Sequence, residues 1–364
     1  MKRFVEDTAK GLLKAASYSW KPYSRLIMYG DNVGWSLDWD MRELANISRR
    51  LGIRRARPIW KHAARPQSIF FASQFFLDDE NWMRFLPGRI GFSYFHGLPN
   101  TGDELMDRVY RALCTHHEKI TRVQVTHTEM RDVTLGTGID PAKVFLIPIG
   151  VNLGFFPQRT DEQKRKTREA LGIPQSAFVV GSFQKDGVGW EGGMQPKLVK
   201  GPDVFLSAIR LLKKDIPELY VLLTGPSRGY MKNGLEELGV PYKHAYYKEY
   251  PEVAGMFAAL DLYIVASRQE GGPKAILESM ASGVPLVTTR VGQAMDMVKH
   301  EHNAWITDVE DAEGLAALAL KVYGMSTDTL APILKNARAT AEANSYDSQT
   351  DLWRGFMKGF VERA

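Results

Sequence analysis
The chain has 364 residues, which at roughly 150 residues per domain points to two domains. It is 44% apolar and 24% charged, the balance of a globular protein, which excludes disorder or coiled coil throughout. Lys and Arg total 47 and Asp and Glu 42, for a net +5, yet residues 1–65 alone carry 14 basic against 6 acidic side chains. A uniformly basic coat for nucleic acid has no such asymmetry, so no nucleic-acid partner is expected.

The beginning, MKRFVEDTAKGLLKAA, has basic residues but no apolar run of signal-peptide length. No stretch approaches the ~18 apolar residues of a membrane span. The expected location is cytoplasmic, or peripheral on the inner face of a membrane. Val5, Ala9, Leu12, Leu13, Ala16 and Trp20 recur at helical spacing and predict an added N-terminal helix. Apolar runs then predict strands at 25–30, 89–95, 122–127 and 144–150, while SIFFASQFF (68–76) reads as strand or buried helix. A basic cluster of Arg49, Arg50, Arg54, Arg55, Arg57, Lys61 and Arg65, interleaved with Trp60 and His62, follows the first strand. It reads as a contact for an anionic membrane surface, or as a plain solvated face. The single cysteine, Cys114, excludes a disulfide framework and a Cys-rich zinc site. Its neighbours His116 and His117 point to different faces of a helix and make a poor ligand pair, so Cys114 reads as a half-buried helical residue.

Residues 156–175 are charged and poor in apolar side chains, and are expected to be a linker. It would join an acceptor-side domain at 1–155 to a nucleotide-sugar-binding domain at 176–344, with a helix at 345–364 returning to pack on the first domain. Further strands are predicted at 177–183, 219–224, 242–247, 261–267, 284–289 and 303–308, with an amphipathic helix opening at Gly201-Pro202. Strands alternating with helices predict an α/β fold of two Rossmann-like, doubly wound parallel sheets facing a central cleft, with ligands outside the carboxyl ends of the strands.

The most informative stretch is DLYIVASRQEGGPKAILESMASGVPLVTT (261–289). A buried strand ends at Ser267, a polar loop follows, and a helix opens at about Pro273 and stops at Gly283. Gly271 and Gly272 allow close approach to the backbone, and the helix N-terminus suits a phosphate. Glu270 on the loop and Glu278 on the helix offer two carboxylates to the polyol groups of one ligand; a vicinal diol such as ribose is well matched to such an acceptor.

These residues resemble the E-x7-E motif of the retaining glycosyltransferases of family 4, which have the GT-B fold. IPIGVN (147–152), GSFQK (181–185), VKG (199–201), LLTGP (222–226) and FAALDLYIVAS (257–267) extend the resemblance, with Ile149 and Asn152 departing from the family pattern. The resemblance implies transfer of a sugar from a nucleotide-diphosphate sugar with retained configuration. It implies that Glu278 binds the ribose, that Glu270 lies near the reacting centre, and that Lys185 and Lys200 hold the diphosphate, Lys185 standing where the family has Arg. Gly271, Gly272, Pro273 and Lys274 would line the donor, and Tyr247 and Lys248 the base. His96, at a strand's carboxyl end, resembles the family's cleft histidine; a histidine bonded within a turn is the other reading. Gly34, beside the departing Trp35, matches the Gly-rich turn bordering the diphosphate. No Asp-x-Asp is present, and neither a metal nor another cofactor is expected. The long Gly-rich interval between Lys185 and Lys200 reads as a lid over the donor or as a solvent loop. The acceptor is expected to be a glycan, glycolipid or lipid-linked sugar of the cell surface. A sugar-nucleotide epimerase on the same fold and a degenerate, non-catalytic nucleotide-sugar-binding subunit are the competing readings; the intact motif argues against both.

Overall fold
A computed structural model describes residues 23–30, 36–56, 67–78, 88–247 and 249–362. The expected helix at 5–20, Gly34, Trp35, Arg57, Trp60, Lys61, His62, Arg65 and Lys248 lie outside the described residues. The chain divides into two compact units, the first made of 1–149 with 346–364 and the second of 150–345.

The first unit holds a parallel sheet of β1 (Arg25–Tyr29), β2 (Arg54–Ala56), β3 (Gln67–Phe71), β4 (Gly88–Tyr94), β5 (Ile120–Val125) and β6 (Val144–Leu146), in the order β2-β1-β3-β4-β5-β6. SIFFASQFF resolves into both of its readings. Its first half is β3, buried on both faces, and its second half is a 3-10 turn at Gln74–Asp78. Strand β2 comes from the basic cluster and pairs with β1 through Arg25↔Arg54. It is a three-residue strand at the sheet edge with exposed arginines, which discourages further pairing; charge obscured it in the sequence. Arg50 forms an ion pair with Asp347, so part of the basic cluster is bound within the fold.

The Thr350–Met357 helix belongs to this first unit. Trp353, Phe356 and Phe360 pack with Leu26, Leu44, Ile47 and Phe70 in one cluster. Phe70 meets Trp353 and Phe356 edge-on, with ring centroids 5.8 and 5.6 Å apart. Phe360 is seated against β4 because Gly91 has no side chain; a Cβ there would lie 2.9 Å from its ring. Burial of three aromatic side chains is a large apolar contribution for so short a segment.

The second unit holds β7 (Phe178–Ser182), β8 (Leu219–Thr224), β9 (Tyr242–Ala245), β10 (Leu262–Val265), β11 (Leu286–Thr289) and β12 (Trp305–Thr307), all parallel, in the order β12-β11-β10-β7-β8-β9. From β7 the chain winds outward through β8 and β9, then returns to the other side of β7 with β10. The order therefore reverses between β7 and β10, the place where doubly wound sheets bind ligands.

The expected linker is corrected. Residues 161–171 form a helix, Asp161–Leu171, that belongs to the second unit. Thr160 and Gln163 close a capping box and Gly172 ends the helix in the left-handed region. Its charges do not all face water. Arg168 is 2% exposed and donates to the carbonyls of Ala259 and Ala177 and to Asp261 at 2.6 Å. Lys164 reaches the other oxygen of Asp261, also at 2.6 Å. A charge run was mistaken for a solvated one because its partner lies about a hundred positions away.

Candidate active site
The loops after β7 and β10 meet at the switch point of the second sheet. After β7 the chain runs through Lys185 to a 3-10 turn, Leu198–Lys200, which places Lys200. Gly201 follows with φ 61°, and a Cβ there would overlap the carbonyl of Ala266 at the end of β10, so the turn lies directly on the neighbouring loop. Arg268 fastens the two loops together. Its amide donates to the Val199 carbonyl at 2.9 Å and its guanidinium to the Leu198 carbonyl at 2.7 Å, while Asp203 and Glu310 hold the guanidinium. The hydrogen bonds that Arg268 donates to Asp203, with the one to Glu310, hold its pKa above the ordinary value.

Lys200 and Glu270 come together across this junction. The ammonium lies 2.6 Å from both carboxylate oxygens, and Ser267 Oγ donates to Glu270 Oε1 at 2.9 Å. Gln184 donates to the Lys200 carbonyl at 2.8 Å, tying the turn to the end of β7. Glu270 is largely buried, so its charge is offset by Lys200 rather than by water.

The helix after Glu270 is Lys274–Ser282, one residue shorter than expected, with Pro273 as its N-cap and Gly283 closing it at φ 69°. Pro273 offers no side-chain acceptor to the first N–H groups, which leaves this N-terminus suited to an anion. Gly271 is held by its carbonyl, which accepts from Gln293 N–H at 3.1 Å. Glu278 lies about one turn along the helix and is 6% exposed. It accepts a hydrogen bond from the hydroxyl of Tyr250, a residue that sequence reasoning missed. Lys274 lies over the ring of the same tyrosine at 5.1 Å. Tyr250 follows the YKHAYY run by only three positions, and a tyrosine so close to the expected base pocket was the available signal. Tyr247 itself is half-buried in the loop after β9.

Lys185 lies over the indole of Trp190 at 4.1 Å. Desolvation lowers its pKa below the ordinary lysine value. The Gly-rich interval is an anchored hairpin. Gly187 pairs with Pro196, and Val188 N–H donates to the Gln195 carbonyl at 2.9 Å. Gly229 and Tyr230 donate to the carbonyls of Gly192 and Gly193 at 2.8 and 2.9 Å. A Cβ at Gly187 or Gly193 would overlap the backbone of Ser227, so the glycines serve close docking. At the base of the hairpin Asp186 and Arg228 form an ion pair at 3.0 Å with almost no exposure. Burial raises the Asp186 pKa, opposed by the Arg228 charge.

His96 belongs to the first unit and is described there separately. It follows β4, its carbonyl accepts from Gln74 Nε2 at 2.7 Å, and its ring lies edge-on to Phe95 and Phe75. A pocket that sequence reasoning did not foresee opens in this unit at the carboxyl ends of β3 to β6, beside Ala72, Phe95, Thr126 and Pro148. Asp40, bonded by Tyr346 OH, lines it too. Among the described residues no cluster of three or more His, Cys, Asp or Glu is placed to hold a metal ion. No described helix is long and apolar enough to cross a membrane.

Comparison with known proteins places this geometry. Residues 195–340 match the model of the family described as glycosyl transferases group 1. The chain is 28% identical over 202 residues to a D-inositol 3-phosphate glycosyltransferase of Corynebacterium urealyticum, covering 52% of this chain and 45% of that protein. It is 23% identical to the Escherichia coli UDP-Gal:alpha-D-GlcNAc-diphosphoundecaprenol alpha-1,3-galactosyltransferase, covering 59% and 53%. The chain thus spans about half the length of these relatives. Among solved structures, Anabaena HepE in complex with UDP-glucose superposes with a TM-score of 0.72 at 15% identity, covering 92% of this chain and 99% of that one. That likeness shows the fold, which is GT-B.

Proposed function
Residues 195–340 match the model of the glycosyl transferases group 1, and on that similarity we propose that the chain is such an enzyme, moving a sugar from a nucleotide-diphosphate sugar to an acceptor hydroxyl with retained configuration. The observation that carries the reading is the Lys200–Glu270 pair beside an uncapped helix N-terminus, with Glu278 on that same helix. Breaking the bond between the anomeric carbon and the diphosphate oxygen leaves the electron pair, and so negative charge, on the diphosphate. Lys200 and the amides at the start of the Lys274–Ser282 helix are set where they would stabilise that charge, with no metal required. Glu270, held by Lys200 and Ser267, would stand at the donor sugar, and Glu278, steadied by Tyr250, would accept from the ribose hydroxyls. The pocket at the end of the first sheet supplies the acceptor side of the reading, and His96 would meet the donor sugar.

The E. coli relative is named for a lipid-linked diphosphate acceptor, which supports a role in cell-surface glycan or glycolipid synthesis. A peripheral position on an anionic membrane face accords with the exposed Arg54 and Arg55. The test is a panel of nucleotides and nucleotide sugars screened for thermal stabilisation, which at 100 times Kd is worth about 2.7 kcal/mol. The reading expects a nucleoside diphosphate to stabilise the wild type and to lose its effect with Glu278→Ala or Lys200→Ala. No response of the wild type would overturn the donor site, and mutants that respond fully would overturn the residue roles. The anomeric configuration of the product, followed by NMR, tests retention.

A further inference from the structure
The hairpin between Lys185 and Lys200 does more than bridge two expected cations. Its closing bond, from Lys197 N–H to the Asp186 carbonyl at 2.7 Å, brings Lys197 back beside the start of the loop. The Lys200 amide in turn donates to the Lys197 carbonyl at 2.8 Å, so Lys197 caps the 3-10 turn that carries Lys200. Lys200, Glu270 and Lys185 are the ionisable groups that act on the Lys197 ammonium. The backbone thus sets Lys197 between the segment of Lys185 and the turn of Lys200, and the carboxylate of Glu270 is already engaged by Lys200 at both oxygens. Among the described residues Lys197 forms no ion pair and no side-chain hydrogen bond. Its side chain is exposed, but the backbone that carries it is held, since the hairpin is docked through Gly187, Gly193 and Gly229 on the Ser227–Tyr230 segment.

A lysine with no ion pair of its own, carried on a docked frame beside Lys200, is suited to an anion. We infer that Lys197, contributed by the inserted hairpin, is a third cation of the phosphate locus, and that the hairpin is a part of the donor site rather than a solvent loop. The inference rests on the donor-site reading above. It gives the hairpin a purpose that neither a lid nor a spacer requires, because a docked loop delivers its lysine without moving. It also answers the replacement of the family's arginine by Lys185: a single ammonium lacks the bidentate fork, and a second one restores some of the grip. Desolvation and the repulsion of Lys200 lower the Lys197 pKa, an effect that Lys185 adds to and Glu270 opposes. A bound diphosphate would reverse that penalty.

The experiment is calorimetric titration of the full chain with inorganic pyrophosphate and with UDP, GDP and ADP, for wild type, Lys197→Met, Lys197→Arg and Lys200→Met. The inference expects Lys197→Met to weaken pyrophosphate and the preferred nucleotide roughly tenfold, as for a lost charge-assisted bond, and Lys197→Arg to restore the affinity. It expects Lys197→Met to leave the melting temperature unchanged or raise it, because the free protein gains nothing from this charge; a structural lysine would cost stability. Wild-type affinity should fall on the alkaline side at lower pH than an ordinary lysine would give, and Lys197→Arg should move that limb to higher pH without abolishing it, since the Lys185 pKa is lowered too. Binding lost with Lys200→Met but intact with Lys197→Met overturns the inference and leaves the donor-site reading standing. A wild type that binds neither pyrophosphate nor any nucleotide overturns both.

Discussion

Lys200 and Glu270 are 70 positions apart in the chain, yet the ammonium of one sits 2.6 Å from both carboxylate oxygens of the other. Adjacent strands β7 and β10 end side by side, and each delivers one partner. Each charge offsets the other in a largely buried setting, which holds the pair in one geometry. Lys200→Met is expected to lower kcat about 100- to 1000-fold, as for loss of one preorganised charge-stabilising donor. Ser267→Ala, which removes a single bond to Glu270, should cost no more than about tenfold. Steady-state kinetics with the donor identified by the thermal panel checks both.

Tyr250 donates a hydrogen bond to Glu278, the carboxylate proposed to accept from the ribose. Glu278→Ala should weaken nucleoside diphosphate binding about 10- to 100-fold, the span of a lost hydrogen bond to a charged group. Tyr250→Phe keeps the carboxylate and removes only the bond that steadies it, so its loss should be smaller and in KM rather than kcat. Titration of the two variants with the same nucleotide measures the difference.

Gly201 is a geometric requirement. Its φ of 61° and its contact with the Ala266 carbonyl leave no room for a Cβ. Gly201→Ala is expected to cost about 1–3 kcal/mol in stability, as for a residue held in strained backbone, and to displace the turn that carries Lys200. Activity should fall by far more than the melting temperature suggests. Parallel denaturation and kinetic measurements separate the two effects.

The Asp186–Arg228 pair anchors the hairpin from below. Arg228 also donates to the carbonyls of Ser182 and Thr224, at 2.8 and 2.6 Å. Asp186→Asn leaves its guanidinium charge buried without a counter-charge, and is expected to cost about 3–5 kcal/mol. Replacing both residues by apolar ones of similar size should cost less than the single change. Urea denaturation of the single and double variants tests the comparison.

Much of this was legible because buried parallel strands write themselves as short apolar runs: RLIMY, LYVLLT and LYIV became β1, β8 and β10. Strand β2 and the Asp161–Leu171 helix were not, because arginines and lysines hide an element whose partners lie far along the chain, as Asp261 does for Arg168. At the site, Glu270 and Glu278 stand in one local string whose spacing carries meaning, and Lys200 stands in the short motif VKG. Tyr250 and Lys197 carry no such spacing. Tyr250 reaches Glu278 only through the packing of two helices, and Lys197 reaches Lys200 and Lys185 only once the hairpin has closed. Pairings created by tertiary contact leave little trace in local pattern.

The return of residues 346–364 to the first unit sets an order of assembly on the ribosome. Residues 150–345 are contiguous and can fold as soon as they emerge. The first sheet, by contrast, must wait through the synthesis of the entire second unit with Leu26 and Phe70 lacking Trp353, Phe356 and Phe360. The first-made part of the chain is thus the last to be completed. Throughout that interval its apolar face is the surface on which a chaperone, or an unwanted neighbour, would act.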